Sequence, residues 1–136
     1  MLKANELRIG NWVSECPFVE EKHWHHKVDG LSKRWNEKSN KDDIFIHFDN
    51  GDLWDENETF CIPITANWLS KFGFIIKDGK YGKDYYSPEN FLFVITTRHD
   101  GSIGFCWDDF TKEIKFVHQL QNLYFALVGE ELVLQD

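Results

Sequence analysis

The chain has 136 residues and a formal charge of −8, with 42% hydrophobic content that includes 12 Phe, 6 Trp and 4 Tyr. That length suits one folded domain, residues 1–136, able to bury a core without staples and rich enough in large rings to build it around them. Acidic residues outnumber basic ones in both halves, 13 to 8 over 1–62 and 10 to 7 over 63–136, so no basic stripe remains for phosphates and duplex nucleic-acid binding is not expected.

In chain order, a first short strand is expected over residues 9–13. Residues 20–43 are polar and hold no period, which reads as an excursion from the fold, a long loop or an extended hairpin. Residues 44–48 alternate Ile44, Ile46 and Phe48 against Phe45 and His47, the pattern of a half-buried strand. Asn50-Gly51 follows as a two-residue hairpin signal that pairs Phe48 with Leu53 and His47 with Trp54. Residues 65–73 read as a two-turn helix, with Thr65 as cap, Trp68, Leu69 and Phe72 on one face, and Gly73 as stop. A second hairpin is written in residues 91–98, Asp100-Gly101 and 103–107, with apolar residues on both faces and hence a central place.

The last quarter, residues 114–132, carries the clearest pattern. At 100° per residue Val117, Leu120, Leu123, Tyr124, Leu127 and Val128 form one apolar arc, and Gly129 supplies a left-handed stop. The opposite arc groups His118, Asn122 and Phe125 within about 60°, with Gln121 at its edge. An outward phenylalanine among polar neighbours suits contact with a partner protein or a flat ligand.

Three stretches carry a resemblance: residues 5–11 (Asn-Glu-Leu-Arg-Ile-Gly-Asn), residues 63–74 with Pro63-Ile64-Thr65, Trp68-Leu69 and Phe72-Gly73-Phe74, and residues 117–132. Together they resemble an uncharacterised family of short proteins from phage and prophage regions of anaerobic gut bacteria. The resemblance covers about a third of the chain and implies a mobile-element setting, with no catalytic residue to carry over. The stretch 20–43 departs from the compact pattern of that family.

Two further groups bear on chemistry. His23, His25 and His26, with Cys16 before and Asp29 after, are the one local cluster of metal-ligand types, and His23 and His25 would share a strand face. Asp49, Asp52, Asp55, Glu56 and Glu58 bracket the first hairpin turn without a basic residue. They fail as a calcium loop, since Gly51 and Leu53 occupy ligand places. Asp52, Asp55 and Glu56 are instead a candidate contact for a basic partner.

Cys16, Cys61 and Cys106 stand far apart without a CxxC pair, which fits reduced cytoplasm better than a disulfide framework. No segment has signal-peptide or membrane-spanning length, so no membrane role is expected. P-loop, GxGxxG and HExxH motifs are missing, and no cofactor is implied.

The expected fold is therefore α+β: a bent antiparallel sheet, with a small SH3-like barrel as one form of its N-terminal half, a short central helix and a C-terminal amphipathic helix. The expected function is a noncatalytic binding module, phage- or prophage-encoded, acting on a host protein or host signalling molecule. The alternative is a small metal-dependent enzyme built on His23, His25 and His26.

Overall fold

The computed structural model describes residues 2–15, 24–79, 82–87, 93–107 and 110–135. The chain divides into two compact units, Met1–Ile62 and Pro63–Asp136, each with its own antiparallel sheet. The α+β class with a bent sheet and a C-terminal helix is as the sequence indicates.

The first unit holds a sheet of four strands in consecutive order: β1 (Trp12–Ser14), β2 (His25–Asn36), β3 (Lys41–Phe48) and β4 (Leu53–Asp55). A bridge between Ser14 and Phe60 extends the pairing on the far side of β1. Its core is Leu2, Leu7, Val13, Val28, Ile46 and Phe48, with Trp54 and Cys61 packed against it. A register shift between Val28 and Gly30 inserts one extra residue into β2. Because side chains alternate along a strand, that bulge puts Val28 and Leu31 on the same face, the one shared with Phe48 and Ile46.

The Asn50-Gly51 turn differs from expectation by one residue. His47 faces Leu53 and Ile46 faces Trp54, while the Phe48 amide donates to the Asp52 carbonyl at 2.9 Å. Of the turn residues only Gly51 has positive φ, at 91°, so the loop has three residues, a type I turn closed by a left-handed glycine. The Asn50 side chain accepts from the Asp52 amide at 2.9 Å, holding that shape. The shift exchanges faces, so Trp54 joins the core side and Leu53 is left exposed. The expected strand at 9–13 is likewise displaced to β1, with Ile9 in an exposed turn.

Of the two forms read for 20–43, a long loop or an extended hairpin, the structure shows the hairpin from residue 25 onward. The pairing of β2 with β3 runs from Val28–Phe48 to Asn36–Lys41, and Val28 is wholly buried. Lys, Arg, Asp and Ser along the strands hide this pairing from hydropathy, because most of the ribbon faces water on both sides.

The second unit begins with α1 (Ala66–Lys71), capped by the Thr65 hydroxyl, which accepts from the Trp68 amide at 3.4 Å. The expected apolar face is confirmed, with Trp68, Leu69 and Phe72 buried. Five strands follow in consecutive order: β5 (Ile75–Asp78), β6 (Gly82–Tyr86), β7 (Val94–Arg98), β8 (Ile103–Trp107) and β9 (Phe110–Glu113). The expected second hairpin is β7–β8, and β7 occupies the centre of the sheet.

The C-terminal helix α2 (Val117–Val128) starts where the Gln119 side chain accepts from the Lys115 and Phe116 amides, at 2.9 and 3.1 Å. It stops at Gly129, whose φ of 84° a side chain would oppose. One ring organises this half of the core. Phe93 lies 4.8 Å from Phe105, 6.3 Å from Phe74 and edge-on to Tyr124 at 5.0 Å, spacings within the range of favourable aromatic pairs. The Tyr124 hydroxyl meets the buried Ser87 hydroxyl at 3.0 Å. Among the described residues no helix is long and apolar enough to cross a membrane.

Candidate functional site

The site read from the outward arc of α2 is only partly at the surface. His118 and Gln121 are each 1% exposed, whereas Leu127, placed on the core arc by its spacing, is 54% exposed. The buried residues Val117, His118, Leu120, Gln121 and Tyr124 lie on an arc turned about 70° from the one read by hydropathy. Tyr124 anchors the helix through Phe93 and Ser87, both distant in sequence, and the His118 ring lies nearly parallel to Phe116 at 5.9 Å. The burial of a polar ring or amide is invisible to a count of apolar residues. Asn122 is half-buried and Phe125 exposed, so these two remain where contact was expected.

The acidic hairpin carries structural duties. Asp55 caps the 3-10 turn Glu56–Glu58, its carboxylate accepting from the Asn57 amide and side chain, both at 2.8 Å. Glu56 accepts from the Ala4 amide at 3.1 Å, tying the start of the chain to the sheet. Asp52 stays exposed and accepts from Asn50 at 3.0 Å. Two of the three proposed contact carboxylates are thus explained by folding.

The histidine cluster is divided. His25 and His26 are neighbours on β2, so their side chains leave opposite faces of the strand. His26 stacks on Phe48 at 5.4 Å, with Nε2 3.4 Å from the Glu15 carboxylate. His23 and Cys16 lie outside the described residues. Among the described residues no three His, Cys, Asp or Glu side chains converge as metal ligands.

A surface that the sequence did not single out stands on β2 and β3. β1 pairs only with residues 25–27 of β2, and β4 only with residues 45–47 of β3. Beyond these the two strands continue as a ribbon, with no further strand on either side among the described residues. The core-side face carries on along it through Leu31, Lys33 and Trp35 on β2, opposite Ile46, Ile44 and Asp42 on β3. Past the core this stripe reaches solvent, with Leu31 45% and Trp35 57% exposed.

The end of the ribbon is stitched. The Asn36 side-chain oxygen accepts from the Lys38 amide at 3.0 Å and from the Ser39 amide at 3.4 Å, while its amide group donates to Asp43 at 2.9 Å. Asn40 takes the left-handed conformation with φ 55°, which asparagine tolerates better than most residues. Nearer the body, Ser32 Oγ and His47 Nε2 meet across the strands at 2.8 Å. Trp35 is therefore held out on a braced support. The sequence signal was present in the even spacing of Leu31, Lys33 and Trp35, but charged neighbours concealed it.

Comparison with protein-family models, with curated proteins and with solved structures returns no significant match.

Proposed function

We propose that this chain is a noncatalytic binding module, encoded by a phage or prophage and acting on a host protein, with the β2–β3 ribbon as its contact element. The phage setting rests on the sequence resemblance of residues 5–11, 63–74 and 117–132. The contact element rests on one observation, the exposure of Trp35 and Leu31 on a hydrogen-bonded ribbon. Two large apolar side chains left in water on either side of Lys33 cost solvation unless something covers them. Tryptophan is also among the residues enriched where interface energy concentrates. Bracing by Asn36 lowers the ordering entropy paid on binding.

A photoreactive amino acid placed at position 33, between Leu31 and Trp35, tests the reading in host cells expressing the chain. A single host protein crosslinked from position 33, and not from the exposed position Glu58, is the expected result. Absence of any crosslink specific to position 33 rejects the ribbon as the contact.

A further inference from the structure

In the second unit the sheet face that carries Thr96 and Gly104 is dented where Gly104 contributes no side chain. The depression measures about 160 Å³ and is lined by Arg98, Asp100, Ser102, Ile103, Gly104 and Glu113. Gly104 lies on β8 opposite Thr96 of β7 on one side and Glu113 of β9 on the other. Arg98 ends β7, so the guanidinium and the Glu113 carboxylate arise from strands two apart, roughly 10 Å between backbones. The ion pairs among the described residues, Glu15–His26 and Asp78–Lys83, include neither of them.

The third charge here is already committed. Asp100 accepts from the Ser102 hydroxyl at 2.7 Å and from the Ser102 amide at 2.9 Å. These hydrogen bonds, the hydroxyl's first, hold its carboxyl below the usual carboxylate range, and the charge of Arg98 nearby lowers it further. Asp100 is therefore a fixed anion on the rim, and Glu113 is the carboxylate left to receive a cation.

From this arrangement we propose that the Gly104 depression is a binding site for a small zwitterion of the α-amino-acid class, its carboxylate on Arg98 and its ammonium on Glu113. A planar guanidinium matches a carboxylate with two parallel hydrogen bonds, and a carboxylate is the natural acceptor for an ammonium. The size agrees, since a cavity of about 150 Å³ holds a molecule as large as benzene. The backbone atoms of one amino acid fit that space, and its side chain projects into solvent. The site lies in the other unit from the ribbon and stands or falls apart from it.

The test is amide NMR of the full chain titrated with glycine, with N-acetylglycine, which keeps only the carboxylate, and with glycinamide, which keeps only the ammonium. Saturable shifts at Ser102, Gly104 and Glu113 with glycine, in the range of a Kd of about 1 mM, are expected, each half-probe binding at least about tenfold more weakly. Arg98→Gln and Glu113→Gln, both exposed, should each weaken glycine by a similar factor while leaving the rest of the spectrum in place. Three outcomes overturn the proposal: no saturable shift with glycine, equal binding by either half-probe, or glycine binding indifferent to both substitutions.

Discussion

Leu120→Ala and Leu127→Ala together decide which way α2 faces. Both leucines fall on the apolar arc that hydropathy draws, yet Leu120 is fully buried and Leu127 is 54% exposed. Truncating a buried leucine removes transfer energy and leaves a cavity, at a cost of about 2–5 kcal/mol. For a unit of this size, a loss of about 3 kcal/mol lowers Tm by about 12–24 °C. Leu127→Ala removes side chain from water rather than from the core, and alanine favours a helix at least as well as leucine. Its cost should stay below about 0.5 kcal/mol. Guanidinium unfolding followed by tryptophan fluorescence and far-UV circular dichroism reads both. Equal losses, or a larger loss at Leu127, refute the orientation of the helix and with it the burial of His118 and Gln121.

Removing the Asp55 carboxylate by Asp55→Ala should cost about 1 kcal/mol, the usual worth of a capping side chain, whereas Asp52→Ala should be nearly neutral; urea midpoints compare them. Asp100 is held below its ordinary value in the folded chain. Its contribution is therefore present above the unfolded carboxylate pKa and lost as pH falls through the lower folded value, and carbon-detected NMR should find its titration absent above pH about 4, near the ordinary Asp value. An Asp100 titrating at the ordinary carboxylate value contradicts the Ser102 hydrogen bonds. Burial pushes the Cys61 thiol up, so iodoacetamide at neutral pH should modify Cys61 more slowly than a free cysteine peptide; equal rates contradict its packing against the core.

What the sequence revealed depended on whether a signal was local. The helix at residues 65–73 was legible from end to end, because Thr65, Trp68, Leu69, Phe72 and Gly73 each act within their own turn. The second hairpin and the glycine stop of α2 were legible for the same reason. The Asn50-Gly51 turn was found but misregistered: the dipeptide fits a two-residue loop, and the difference of one residue depends on which turn positions take positive φ. The helical rotation was hidden because Tyr124 is held by groups far away in sequence, Ser87 and Phe93. The candidate sites fared unevenly. Asp55 and Glu56 proved to hold the chain together, and Trp35 was overlooked because its stripe continues a core face only after the bulge at Val28 and Gly30 resets the alternation.

The central claim is that Trp35 makes the contact, and the affinity of wild-type and Trp35→Ala protein for the host protein crosslinked from position 33 tests it most directly. Isothermal titration calorimetry should show Trp35→Ala weakening binding at least about tenfold, ~1.4 kcal/mol, with the same Tm, since the ring is more than half exposed. Unchanged affinity in a variant that remains folded would contradict the account.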